Sequence, residues 1–145
     1  MSDNDDFTGH KILLVEDMKI NREIVLMLLK STHMEIDCAE NGFQAVEMFV
    51  DKPNRYEIIL MDIHMPGMNG YETARKIRSY ETKLLDQKSA YYDPEYKRIP
   101  IIAMTANVTK EDIVKSVNAG MDDHTGKPLD YEIVIEKLRR FLTGF

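Results

Sequence analysis

Four short runs rich in Ile, Leu, Val and Met, at 11–15, 34–39, 57–61 and 99–104, alternate with stretches of helical spacing, and this alternation limits the possible folds most. Each run is bounded by turn or charge signals and is too apolar for a strand with one face in water, so strands covered on both sides are expected. Between them, Ile20, Ile24, Met27 and Leu28 share one helical face, and Ala45, Val46 and Phe49 a second. Ile113, Val114 and Val117 share a third, and Val134, Leu138, Phe141 and Leu142 a fourth. A fifth strand is expected around Asp122–Gly126. Strand and helix alternating five times implies an α/β fold, a doubly wound parallel sheet with right-handed crossovers and helices on both faces. In such an open sheet, ligands bind beyond the carboxyl ends of the strands, where strand order reverses.

Polar residues gather at those ends. Glu16 and Asp17 close the run Lys11–Val15, Asp62 closes the run 56–61, Thr105 follows Ile99–Met104, and Lys127 with Pro128 closes the fifth segment. A carboxylate at the tip of a buried strand is badly placed for stability and well placed for chemistry. Clustered carboxylates repel and raise one another's pKa unless a cation joins them, and a hard divalent ion with oxygen ligands relieves this. Each residue taken singly has another reading. Asp17 could cap a helix starting near Met18, Thr105 one starting near Thr109, Lys127 could be an ordinary surface lysine, and Pro128 could open the helix Leu129–Leu142. X-Pro bonds are mostly trans, so frequency alone favours a trans Lys127–Pro128 bond.

The strings Leu14-Val15-Glu16-Asp17, Met61-Asp62-Ile63-His64-Met65-Pro66-Gly67-Met68-Asn69-Gly70, Met104-Thr105-Ala106-Asn107 and Ala119-Gly120-Met121-Asp122-Asp123-His124-Thr125-Gly126-Lys127-Pro128 together resemble the receiver domains of two-component response regulators. The resemblance runs from about Lys11 to about Leu142. It implies a flavodoxin-like five-stranded sheet of order 2-1-3-4-5. It also implies a Mg2+ site, with Mn2+ as a substitute, in which Asp17, Asp62 and the backbone carbonyl of His64 coordinate and Glu16 acts through water. Asp62 would be the phosphoacceptor, taking its phosphoryl group from a histidine kinase or a histidine phosphotransfer domain. Thr105 and Lys127 would contact the phosphoryl oxygens, and the Lys127–Pro128 peptide would be cis. His64 and Asn107 would tune a slow self-dephosphorylation, so the domain would modify itself rather than turn over a separate substrate.

In the family, a Thr and an aromatic on the fifth strand form a conformational switch. Here these are Thr105 and His124, and the imidazole departs from the usual Tyr or Phe. The segments 16–22 and 120–130 look most like receivers attached to hybrid histidine kinases, which exchange phosphate with a histidine-bearing helical domain. Met18 and Ile20 would offer that partner apolar contact beside the acids.

The 145 residues fit one domain, expected as a flexible tail over 1–10 and a receiver over 11–145. The stretch 79–98 exceeds what a receiver needs. Its spacing predicts a third helix continuing to about Lys88 and then a Tyr-rich, Pro-broken loop, read as a tolerated surface insertion rather than a docking element. A net charge of -6 disfavours nucleic-acid binding. One cysteine, Cys38, excludes an intramolecular disulfide. No membrane contact and no secretory leader are expected, and a cytoplasmic location follows.

Three other functions are disfavoured. A phosphohydrolase of the haloacid dehalogenase type needs Asp-x-Asp, and His64 stands where its second Asp would be. A flavin binder needs a Ser/Thr/Gly-rich phosphate loop where this chain has Glu16-Asp17-Met18-Lys19. A silent interaction module would not need the complete acid, hydroxyl and lysine set.

Overall fold

In the computed structural model, which describes residues 5–106 and 108–143, the apolar runs form one parallel sheet of β1 (Lys11–Val15), β2 (Glu35–Ala39), β3 (Ile58–Asp62), β4 (Ile101–Thr105) and β5 (Asp123–Gly126). The strand order is β2-β1-β3-β4-β5. Every neighbouring pair is parallel, so the expected doubly wound sheet of order 2-1-3-4-5 is present. Every residue of β3 and β4 is buried, whereas the edge strand β2 buries only Ala39.

The helices are α1 (Lys19–Leu29), α2 (Gly42–Asp51), α3 (Gly70–Leu85), α4 (Lys110–Asn118) and α5 (Tyr131–Thr143). Successive side chains of a strand point to opposite faces, and the core divides accordingly. Leu13, Val15, Ile59, Met61 and Ile101 meet Phe49 of α2 and Ile77 of α3 on one side. Ile12, Leu14, Leu60, Ile102 and Met104 meet Val25 and Leu29 of α1 and Val134 and Leu138 of α5 on the other. Each fully buried Leu or Ile contributes about 1.5–3 kcal/mol, so these layers carry the fold.

On two helices the apolar stripe that the spacing picks out lies largely on the outside rather than against the sheet. The core side of α1 is Val25 and Leu29, while Ile20, Ile24 and Met27 point outward, Met27 with 76% of its surface exposed. This helix is apolar nearly all round, so periodicity cannot choose which stripe meets the sheet. On α4 the buried residue is Ser116, and Val114 and Val117 are exposed.

The segment before β1 also differs from the expected tail. Phe7 is only 2% exposed and joins the α1/α5 core, its N–H donates to the Thr32 carbonyl at 2.7 Å, and Asp5 pairs with Arg139 on α5. Residues 1–4 of that expected tail lie outside the described residues.

The third helix stops at Leu85 rather than near Lys88. Asp86 turns to an extended conformation, and its Oδ1 accepts from the Lys88 N–H at 2.9 Å, which offers the backbone an alternative to another helical turn. The following loop is tied into the core. Glu81, 2% exposed, accepts from the Tyr96 hydroxyl, from the Ile99 N–H at 2.8 Å and from Arg78 at 2.6 Å. Tyr96 also packs edge-on against Phe49. Tyr96 is the buried anchor of this loop, whereas Tyr91, Tyr92, Pro94, Glu95, Lys97 and Arg98 are exposed.

Candidate functional site

The switch point of the sheet lies between β1 and β3, whose carboxyl ends deliver Glu16, Asp17 and Asp62 to one place. One carboxylate oxygen from each of the three lies within 4.8 Å of the others. β5 ends one strand beyond β4, and Lys127 after it reaches back so that Nζ donates to Asp62 Oδ1 at 2.8 Å and to Glu16 Oε2 at 2.9 Å. The Lys127–Pro128 peptide is cis. Lys127 N–H donates to the Thr105 carbonyl at 2.9 Å, which fixes the two strand ends side by side.

Burial and charge act in opposition here. Burial pushes the Asp62 carboxyl up to about 6, the Lys127 ammonium opposes this, and the neighbouring Glu16 charge adds to it. Glu16 is also pushed up by burial, but hydrogen bonds from Lys127 and Asn21 outweigh this and hold it below its usual value. Burial lowers Lys127, and its hydrogen bonds to Asp62 and Glu16 more than compensate, so it stays protonated.

Three carboxylates face one ammonium, and all the donors are hard oxygens. The Asp17 carboxylate has no hydrogen-bond partner among the described residues, which leaves it available to a cation. This donor set fits a hard divalent ion such as Mg2+.

The backbone around Asp62 is closely packed. A Cβ on Gly70 would stand 2.3 Å from the Asp62 carbonyl oxygen and 2.8 Å from the Ile63 Cα, so only glycine lets α3 start this close to the acid. The Gly70 N–H donates to the Ile63 carbonyl at 2.8 Å and closes the loop that carries His64.

The other candidate residues are distributed around this centre. Thr105 is buried at the tip of β4, next to the exposed Ala106. The His64 side chain is exposed on the loop after β3. His124 is half-buried on β5 opposite Ala103, with its ring 4.0 Å from Asp123. Asn107 lies outside the described residues.

The alternative cap readings do not hold. Met18 is the α1 N-cap and has no side-chain cap, Thr109 rather than Thr105 caps α4, and Pro128 lies before the start of α5 at Tyr131. Two residues that sequence reasoning missed reach the acids from α1. Asn21 Nδ2 donates to Glu16 Oε1 at 3.0 Å, and Arg22 Nη1 to the carbonyls of Glu16 and Asp17. An amide and a guanidinium one turn beyond an acidic loop were the available signal.

The response regulator receiver domain family matches residues 12–139. The chain belongs to that family. The receiver is 35% identical over 150 residues to a probable histidine kinase 1 of Oryza sativa subsp. indica, covering 91% of this chain and 15% of the relative. It is 35% identical over 132 residues to hybrid signal transduction histidine kinase L of Dictyostelium discoideum, covering 90% of this chain and 7% of the relative. It thus spans only a small part of these curated relatives.

Among solved structures, the receiver is similar to the Saccharomyces cerevisiae Ssk1 receiver domain, crystallised with the histidine phosphotransfer signaling protein Ypd1. That match has TM-score 0.78 and 28% identity, over 93% of this chain and 90% of the other. It is also similar to the receiver domain of a Pseudomonas aeruginosa sensor histidine kinase, with TM-score 0.73 and 32% identity, over 94% of this chain and 99% of the other. That domain has a magnesium ion coordinated in its active site cleft. Among the described residues, no helix of this receiver is long and apolar enough to cross a membrane.

Proposed function

We propose that this receiver accepts a phosphoryl group on Asp62 from a phosphohistidine in a Mg2+-dependent reaction, hydrolyses the product slowly, and changes conformation while phosphorylated. The observation that carries the reading is the convergence of Asp17, Glu16 and Lys127 on Asp62 at the switch point of the sheet.

An Asp62 carboxylate oxygen attacks phosphorus, the phosphorus–nitrogen bond to the donor imidazole breaks, and that imidazole leaves with its electron pair and takes up a proton. The ammonium of Lys127, already beside Asp62, balances charge on the transferring group, and the Thr105 hydroxyl donates to one of its oxygens. A divalent ion supplies further charge neutralisation when bound. Asp17, Asp62 and the His64 carbonyl are its direct ligands in this reading, Glu16 acts through water, and Mn2+ substitutes for Mg2+. Attack by water on phosphorus releases inorganic phosphate and returns Asp62 to its carboxylate, and His64 and Asn107 tune its rate.

The phosphorylated state is read through Thr105 and His124. The imidazole at the second position makes this switch more polar than one built on Tyr or Phe. The working unit is a single receiver in the cytoplasm, of the type attached to hybrid histidine kinases, and neither nucleic acid nor membrane is a partner. Its partner is a histidine kinase or a histidine phosphotransfer domain. The solved complex of a similar receiver with a phosphotransfer protein supports that partner class. The outward apolar side of α1, with Met18 and Ile20 exposed at the end beside the acids and Ile24 and Met27 exposed further along, supplies the surface such a helical partner needs.

Intact-mass analysis after incubation with acetyl phosphate and Mg2+ tests the reading. One phosphoryl increment is expected on the wild-type chain and none on Asp62→Asn; a normal increment on that variant would refute the assignment.

A further inference from the structure

We infer that Arg22 is a positioning residue for the metal-binding acids. It clamps the backbone of the loop that carries Glu16 and Asp17 and thereby sets where the Asp17 carboxylate stands. The inference rests on the proposed role of this cluster in holding a divalent ion.

The two acids are held in different ways. Glu16 is fixed through its side chain, by Lys127 Nζ at 2.9 Å, Asn21 Nδ2 at 3.0 Å and the Met18 N–H at 3.4 Å. Asp17 has no such side-chain contact among the described residues, so its carboxylate goes where its main chain puts it. That main chain is held by one guanidinium nitrogen. Arg22 Nη1 donates to the Glu16 carbonyl at 3.0 Å and to the Asp17 carbonyl at 3.2 Å.

A trans peptide points its C=O and N–H in opposite directions. With its oxygen drawn to Arg22, the Asp17–Met18 peptide presents its N–H to Glu16 Oε1, so a single peptide plane links the guanidinium to the acid cluster. On the other side, the Glu16 N–H is tied to the Ala39 carbonyl at 3.1 Å.

Arg22 is itself well placed to hold this geometry. Its N–H donates to the Met18 carbonyl at 3.0 Å in the first turn of α1, and its side chain is only 13% exposed. Nη2 lies 3.5 Å from Glu40 Oε1, which steadies the outer end. A guanidinium keeps its charge at any working pH and carries its donors on a rigid plane, as a clamp on two carbonyls requires. Residues that orient metal ligands commonly cost 10–100-fold in affinity when removed.

The test compares Mg2+ affinity by calorimetry with amide hydrogen exchange in the metal-free protein. Arg22→Met should weaken Mg2+ binding about tenfold and speed exchange at Asp17 and Met18. Arg22→Lys keeps the charge on a shorter arm and should fall between wild type and Arg22→Met. Glu40→Gln leaves both carbonyl contacts in place and should bind Mg2+ as wild type does. Ile135→Val, a core change on α5, lowers stability without touching the loop and should also leave Mg2+ affinity unchanged.

Wild-type affinity in both Arg22 variants overturns the inference, as does an equal loss in Ile135→Val, which would make the effect one of global stability. If Arg22→Met does not fold, Arg22→Lys decides by the same criteria. Absence of Mg2+ binding in the wild type would instead sink the proposed metal role, while the exchange at Asp17 and Met18 still reports on the clamp.

Discussion

Lys127 Nζ stands 2.8 Å from Asp62 Oδ1 although 65 positions separate the two residues in the chain. The contact joins the end of β5 to the end of β3 across the tip of β4, so it forms only when the sheet is complete. Lys127→Ala should keep the fold, because the lysine lies outside both apolar cores. Phosphorylation by acetyl phosphate should slow on the order of a hundredfold, the usual cost of removing one aligned charge-stabilising donor. The phosphorylation-induced amide shifts over α4 should largely vanish, and full shifts in this variant would remove Lys127 from the switch.

The raised Asp62 carboxyl makes a prediction about pH. An acid with a higher pKa in the folded than in the unfolded chain binds its proton more tightly when folded. Between about pH 4, the unfolded value, and about 6, the folded value, stability of the metal-free protein therefore falls as pH rises. Glu16 is lowered and acts in the opposite sense, its contribution being lost as pH falls. Asp62→Asn removes the first effect and should be more stable than wild type at pH 7 by about 1–3 kcal/mol, a gap that closes below about pH 4. Urea titrations at several pH values measure this, and a less stable Asp62→Asn at pH 7 would contradict it.

Gly70→Ala should be costly for a change of one methyl, because the new Cβ meets the Asp62 carbonyl and the Ile63 Cα, which are backbone and cannot swing aside. A loss of about 1–3 kcal/mol is expected in urea unfolding, together with weaker Mg2+ binding as Asp62 shifts. Unchanged values for both would mean that α3 can move without disturbing the acid.

Tyr96→Phe should loosen the 79–98 segment. Glu81 would lose the hydroxyl donor and keep the Ile99 N–H and Arg78. About 1–2 kcal/mol of stability should go, with faster amide exchange at Ile99. Mg2+ affinity should not change, because this network lies before β4 and the acids lie beyond the other end of the sheet.

Ile24→Asp separates surface from core on α1. The side chain points outward, so stability should stay within about 0.5 kcal/mol of wild type. Transfer from a phosphohistidine protein should slow about tenfold while transfer from acetyl phosphate is unaffected. Equal rates from the protein donor would move the docking surface elsewhere.

The sequence alone determined the sheet and the charged and polar groups at its edge. Runs such as Ile58–Met61 and Ile101–Met104 are apolar at every position, which only a strand covered on both faces accommodates, and the acids and lysine follow those runs directly in the chain. Strand ends in a parallel sheet share one edge, so Glu16, Asp17, Asp62, Thr105 and Lys127 could be assigned to one place without coordinates.

Only the tertiary structure decided what depends on partners distant in sequence. Helix α1 carries apolar residues on several faces, and the stripe that meets the sheet, Val25 and Leu29, was chosen by the fit to Ile12, Leu14 and α5 rather than by its own period. Phe7 became core because a niche existed beside Thr32 and α5, and Tyr96 because the Glu81 carboxylate needed a donor in a place water does not reach. The hold of Arg22 on two carbonyls likewise needed the structure: a guanidinium one turn beyond the acids is a signal, but a backbone oxygen has no signature in a sequence until the loop that bears it is folded.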